Sequence, residues 1–118
     1  MITPTFPKQF AEEWADAMSR QDFEKISEHY AEDVEVTTQV ISAESIERTT
    51  TIKGIDRIIA FWKNTFNSIP DLRFGMYEFF TSINSVVIYY TASINKRACE
   101  IFYFDNNGKI VRSVAHYN

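Results

Sequence analysis

The residue of this chain best placed to do chemistry is Glu100, a carboxylate set by alternation among aromatic and small side chains. The run Arg97 to Phe104 has the two-residue period of a strand, so Ala98, Glu100, Phe102 and Phe104 share one face. Asn107-Gly108 is the strongest turn signal in the sequence, because a type I′ hairpin needs positive φ at both central positions. A two-residue turn there sets Phe104 opposite Val111, Phe102 opposite Ser113, Glu100 opposite Ala115 and Ala98 opposite Tyr117. Directly opposed residues share a face. Carried through an Asn95-Lys96 turn, the same register puts Thr91 opposite Glu100 and Tyr89 opposite Phe102. Glu100 is thus expected among Tyr89, Thr91, Phe102, Ser113, Ala115 and Tyr117, with space over a face that mixes small and large residues. A carboxyl desolvated there titrates above its ordinary range, as a general acid or a neutral hydrogen-bond donor must. The plainer alternative is a buried glutamate satisfied by Thr91, Tyr117 or Trp14, or one reaching solvent at the edge of that space.

Other reactive groups are few. Cys99 and His116 face each other by the same count, which invites a thiolate–imidazole reading. They lie on the opposite face, where a subunit contact is the simpler account. That face is expected to carry Ile88, Tyr90, Ile101, Tyr103, Arg112 and Val114 as well. A sheet apolar on both faces must cover both, and helices can cover only one. A homodimer through Ile88, Tyr90, Ile101, Tyr103 and Val114 is therefore expected. The other histidine, His29, is read as solvated, and with two histidines and one cysteine no metal site is expected. Glu78 shares alternation with Leu72, Phe74, Met76 and Phe80, but the ambiguous turn from Ser82 to Ser85 leaves its face open.

The elements that must position these groups follow from periodicity. Pro7 suits the first turn of a helix in which Phe10, Trp14 and Ala17 or Met18 recur. Asp22 reads as the N-cap of a second helix carrying Phe23, Ile26 and Tyr30. A strand is expected over Val34 to Ile41, then a loop or lid over Ser42 to Thr51. A third helix starts after Gly54, with Asp56 in its first turn and Ile55, Ile58 or Ile59, Trp62, Phe66 and Ile69 as its stripe, and Pro70 stops it. Trp14, Tyr30 and Trp62 are candidate walls of a ligand site. Strands over Leu72–Phe80, Val86–Ile94, Arg97–Phe104 and Lys109–Tyr117 complete an α+β domain.

Composition narrows the partners. The 118 residues are 45% hydrophobic and 15% aromatic, enough for one domain with an aromatic core. Sixteen acidic against twelve basic residues, with no basic run beyond Lys96-Arg97, argue against nucleic acid. No stretch approaches the length of a membrane span, and the opening Met-Ile-Thr-Pro-Thr-Phe-Pro has neither the basic nor the apolar part of a signal peptide. A cytoplasmic protein without membrane contact is expected.

The order of elements, with Gln21-Asp22-Phe23, Tyr30-Ala31-Glu32-Asp33-Val34, Lys53-Gly54-Ile55-Asp56-Arg57-Ile58, Phe61-Trp62 and Phe102-Tyr103-Phe104-Asp105-Asn106-Asn107-Gly108-Lys109-Ile110, resembles the nuclear-transport-factor-2-like superfamily. That superfamily includes the SnoaL-like cyclases and the ketosteroid isomerases. The resemblance implies a cone-shaped α+β domain, a curved antiparallel sheet wrapped around the helices and one apolar cavity, with a convex face that commonly dimerises. In ketosteroid isomerases a base moves the proton while a tyrosine and a neutral carboxylic acid hold the oxyanion. Counted onto this chain, the base position falls on Thr38 and the tyrosine position on Trp14; the acid survives as Glu100. The Asp-Arg-Asp arrangement of limonene-epoxide hydrolases has no match. The resemblance thus implies a cofactor-free binder of a small apolar or amphipathic molecule, with Trp14, Tyr30, Thr38, Trp62, Tyr89, Phe102, Ser113 and Tyr117 around it. Isomerase, cyclase or hydratase chemistry would act through Glu100; the alternative is a noncatalytic ligand-binding or protein-interaction domain.

Overall fold

A computed structural model describes residues 6–38, 51–68, 74–92 and 96–117. Helices α1 (Phe6–Arg20) and α2 (Phe23–Ser27) lead into strand β1 (Tyr30–Thr37). Strand β2 (Thr51–Lys53) and helix α3 (Ile55–Ser68) follow, then β3 (Phe74–Thr81), β4 (Ser85–Ala92), β5 (Lys96–Phe104) and β6 (Ile110–Tyr117). The six strands form one curved, unclosed sheet in the order β2-β1-β6-β5-β4-β3. Strands β1 and β6 run parallel, and every other neighbouring pair is antiparallel. The expected Ile69, Pro70, Ile94 and Asn95 signals, the start of β3 at Leu72 and the expected loop Ser42 to Thr51 lie outside the described residues, except for Thr51, which opens β2 instead.

Local chemistry sets the helix ends. Pro7 occupies the first turn of α1, where its missing N–H removes no intrahelical bond. Phe10, Ala11, Trp14, Ala17 and Met18 form the buried stripe. The helix stops when Gln21 turns to φ 58°, and Asp22 N–H donates to Ala17 O at 2.9 Å while Gln21 N–H donates to Met18 O at 3.2 Å. Asp22 then caps α2 through Oδ1, which accepts from Lys25 N–H at 3.2 Å. Tyr30, expected on that helix, instead begins β1, because α2 ends at Ser27. Gly54, at φ 98°, supplies the left-handed turn into α3 and donates its N–H to Val34 O at 2.9 Å.

The core lies between the helices and the concave face of the sheet. Helix α1 packs on β3, and α3 packs on β1 and β2. Phe10 meets Phe102 at 5.0 Å and 77° and Phe104 at 5.1 Å and 88°, edge-on contacts worth about 0.5–1.5 kcal/mol each beyond burial. His29, expected in solvent, is half-buried against Phe10 and 3.0 Å from Glu13, and burial lowers its pKa more than Glu13 raises it.

Two hairpins depart from the expected registers. The β5–β6 connection is not a two-residue turn: Asp105 N–H donates to Lys109 O at 2.8 Å, Gly108 N–H donates to Asp105 O at 3.1 Å, and only Gly108 takes positive φ, at 76°. Asp105 Oδ1 also accepts from Asn107 and Lys109 N–H at 2.9 Å each. Phe104 consequently faces Ile110 rather than Val111. A bulge follows, and Val111 stands 37% exposed. The extra loop residue and the bulge cancel, so Phe102–Ser113, Glu100–Ala115 and Ala98–Tyr117 pair as expected. Nothing cancels between β4 and β5. Ala92 pairs with Lys96, leaving three residues between them, and Glu100 faces Ile88 instead of Thr91. A shift by an odd number of residues exchanges the faces of β4.

Gln21 is the only non-glycine among the described residues with positive φ. Replacing it with glycine removes the left-handed penalty of about 1 kcal/mol, offset in part by a more flexible unfolded chain. Gln21→Gly is expected to raise the urea midpoint without changing the denaturant slope, and an unchanged or lower midpoint would refute the strain.

Candidate functional site

The corrected register assembles the concave face around Glu100. Ile88 and Ala115 flank it on the neighbouring strands, and Phe102 and Ser113 form the next paired row. Tyr90, Ala98 and Tyr117 form the row on its other side. Ile88 and Tyr90, expected on the convex face, are 0% and 1% exposed within the core. Tyr89, expected beside Phe102, pairs with Cys99 and belongs to the convex face, where Arg97 donates to its hydroxyl at 3.4 Å. Thr91 likewise pairs with Arg97. The reason is the three-residue connection, since alternation in β4 could not choose between Val86, Ile88, Tyr90 and Val87, Tyr89, Thr91.

Helix α1 closes over this face with Trp14, whose ring meets Tyr90 at 5.2 Å and 64° and Phe102 at 5.2 Å and 68°. The indole N–H donates to Tyr30 Oη at 3.2 Å. Tyr30 in turn meets Trp62 of α3 edge-on at 5.4 Å. Trp14, Tyr30, Trp62, Phe102 and Ser113 are all buried. Sequence reading thus brings Trp14, Tyr30, Trp62, Phe102 and Ser113 into the same core as Glu100, while missing Tyr90 and misplacing Tyr89.

Polar contacts form a short series. Tyr90 O–H donates to Glu100 Oε1 at 3.2 Å. The Tyr90 and Tyr117 phenols lie close enough to influence each other's titration. Tyr117 Oη lies 3.2 Å from Thr38 Oγ1, and either can donate. Ser113 Oγ sits close enough to favour an ionised Glu100. It is wholly buried, however, and meets no partner at sound hydrogen-bonding geometry.

Burial dominates the electrostatics. It lifts the Glu100 carboxyl to about 7, against the opposing influence of Ser113 and Tyr90. Burial first, and the Glu100 charge second, push the Tyr30 and Tyr90 phenols well above their ordinary range and Tyr117 upward. Thr38 cannot accept a proton at neutral pH, and its hydroxyl is engaged by Tyr117. Glu78 is exposed and pairs with Tyr89, away from Glu100. Among the described residues no group of three or more His, Cys, Asp or Glu is arranged to hold a metal.

On the convex side, Cys99 and His116 face each other as expected. With Tyr89, Arg97, Ala98 and Tyr117 they line an open hollow of about 260 Å³. Cys99 is exposed. Among the described residues no helix is long and apolar enough to cross a membrane.

Comparison with known proteins gives these features a context. The SnoaL-like domain family matches residues 11–113. A SnoaL-like protein of unknown function from Burkholderia thailandensis E264 is 32% identical, with a TM-score of 0.92 over 99% of this chain and 98% of that one. IdmH of Streptomyces antibioticus, a candidate polyketide cyclase, is 15% identical with a TM-score of 0.79, covering 95% of this chain and 91% of its own. A protein of unknown function from Burkholderia pseudomallei K96243, described as like nuclear transport factor 2, is 24% identical with a TM-score of 0.76 over 95% and 90% of the two chains. No curated protein sequence matches the chain.

The raised Glu100 pKa makes stability depend on pH with a definite sign. Between the ordinary value of 4.5 and about 7 the folded protein binds more protons than the unfolded chain, so stability falls as pH rises through that window. Glu100→Gln removes the penalty. Its stability advantage over wild type, measured by urea unfolding, is expected to grow from near zero below that window to about 3 kcal/mol above it. A difference that does not vary with pH would show that Glu100 is not held neutral.

Proposed function

The chain belongs to the SnoaL-like domain family, and on that premise we propose that it binds a small apolar or amphipathic carbonyl-bearing molecule against Trp14, Tyr30, Trp62 and Phe102. Glu100 is the group that meets the ligand oxygen. The observation that carries this reading is a carboxyl poised at about 7 by an aromatic surround, so that its neutral, donating form is abundant near neutrality. In that form it polarises a carbonyl or delivers a proton in a cofactor-free isomerisation, cyclisation or hydration. With Thr38 where the isomerase resemblance sets a base, enone isomerisation by that mechanism is not expected. Hydrogen-bonding Thr38 into Tyr117 equally suits a domain that binds without turnover, or one that contacts proteins. The protein acts in the cytoplasm and needs neither membrane nor nucleic acid.

The convex face is proposed to pair two copies. Its apolar residues are Val87, Tyr89, Ile101, Tyr103 and Val114; Ile88 and Tyr90 are replaced because they point into the core. Tyr103 is 39% exposed, with the Arg112 guanidinium 5.8 Å above its ring. Helices already cover the concave face, so a second copy is the cover that this side needs, and a stable contact there buries about 1,000 Å² or more.

α-Tetralone, a flat bicyclic ketone with an acceptor oxygen and no donor, tests the ligand reading through tryptophan emission. Saturable quenching is expected, with affinity that weakens above about pH 7 in the wild type and stays level in Glu100→Gln, whose amide still donates. Unchanged emission over a panel of such ketones would move the reading to the protein-interaction domain. For the dimer, sedimentation at micromolar concentration should give twice the 13.8 kDa chain mass, and Tyr103→Glu should give the single chain. A wild-type monomer would remove the convex face from the account.

A further inference from the structure

Among the described residues, Ser113 Oγ is the buried side-chain polar atom for which the fold supplies no hydrogen-bond partner, and Ser113 itself is 0% exposed. A hydroxyl stranded in this way costs stability that alanine, smaller by one oxygen, would not. Such a group has a reason to persist when a ligand supplies the missing partner. We propose that Ser113 is a specificity-determining residue whose hydroxyl donates, beside the Glu100 carboxyl, to the oxygen of a carbonyl ligand. The inference deepens the ligand reading above and rests on it.

The register brings the two groups together. Phe102 pairs with Ser113 and Glu100 with Ala115, so Ser113 and Glu100 are diagonal neighbours in consecutive rows of the concave face. Side chains so related start roughly 7 Å apart. An oxygen between them comes within hydrogen-bonding reach, about 2.8 Å, of both hydroxyl groups when Glu100 is neutral. Ser113 Oγ lies near enough to favour the ionised carboxyl, yet it is not bonded to it at sound geometry. Val36 on β1 and Phe102 on β5 stand on its two sides, and neither side chain offers a donor or an acceptor. What is left to the Ser113 hydroxyl is the side it shares with Glu100.

Exposure and side-chain size set the direction from which a carbonyl arrives. Glu100 and Ala115 each keep 7% of their surface exposed, while Ser113, one row further in, keeps none. Ser113 and Ala115 alternate along β6, so they share its concave face, and both are small. A flat carbonyl group entering over Ala115 therefore ends with its oxygen between Ser113 and Glu100. The ligand class follows from this pair of donors. A carbonyl oxygen has two lone pairs and no proton of its own, so it accepts one bond from neutral Glu100 and one from Ser113. A ketone whose oxygen is already tied by an internal hydrogen bond has only one lone pair to offer and fits less well. Where a reaction builds negative charge on that oxygen, both donors are in place to hold it.

The test compares α-tetralone with tetralin, the same bicycle without the oxygen, on the full-length protein at about pH 5.5, where Glu100 is mostly neutral. The ketone is followed by tryptophan quenching and tetralin by its displacement of the ketone. Ser113→Ala is expected to weaken α-tetralone roughly tenfold and to leave tetralin within about twofold, as the loss of one hydrogen bond to the oxygen requires. The same variant should raise the urea midpoint of the ligand-free protein, because the stranded hydroxyl is gone. Ser113→Thr, whose hydroxyl still donates, should keep most of the preference for the ketone. An unchanged ratio of the two affinities in Ser113→Ala removes Ser113 from the site while the ligand reading stands. A lower urea midpoint in Ser113→Ala, or failure of that variant to fold, would show that the fold itself uses the hydroxyl and would overturn the assignment. If α-tetralone leaves wild-type emission unchanged, the ligand reading falls and the Ser113 assignment falls with it.

Discussion

Keeping one carboxyl inside an aromatic core is the constraint around which the rest of this domain is arranged. A carboxylate moved from water into such surroundings loses solvation that no cation among the described residues restores. The protein meets the cost by letting Glu100 protonate, which lifts it to about 7, and by supplying a phenol donor from Tyr90. Both responses depend on the sheet register. Tyr90 reaches Glu100 only because β4 pairs with β5 so that Ile88, not Thr91, sits opposite it. Helix α1 then seals the face with Trp14, whose own N–H is satisfied by Tyr30 rather than by the acid.

Much of this arrangement is legible in the sequence because it rests on short-range chemistry. Pro7, Asp22 and Gly54 mark helix starts through backbone requirements that hold in any context. The Glu100 face is legible for a less secure reason. The Asn107-Gly108 signal implies a two-residue turn, whereas Asp105 organises a longer loop with its backbone and carboxylate, and the bulge at Val111 returns the register to the expected one. Hydrophobic burial on one face selects that register over a one-residue slip, which would turn Glu100 and Phe102 outward.

The partner strand was not legible for a matching physical reason. Every side chain from Val86 to Tyr90 is apolar or aromatic, so both phases of alternation satisfy the pattern, and only the length of the connection to β5 decides between them. Tyr89 and Tyr90 are thereby exchanged. Composition does carry a trace of the answer: a strand rich in large apolar groups on both faces lies in a sheet whose second face needs cover as well. Tyr30 was displaced by similar ambiguity, since position i+7 of a helix and the first residue of a following strand can bury the same ring.

Thr38 determines what kind of acid Glu100 can be. A second carboxylate in its place would stand near the same interior, and two such groups would couple, one ionising at the expense of the other. Threonine removes that coupling. The pKa of Glu100 then depends on burial and neutral donors alone, and a single group near neutrality holds comparable amounts of its two forms. Such a group can give a proton and take it back within one cycle, but it cannot do both at two atoms at once. Under the proposed function, chemistry at this site would use one proton-transfer group, with the other proton handled by water or by the substrate itself.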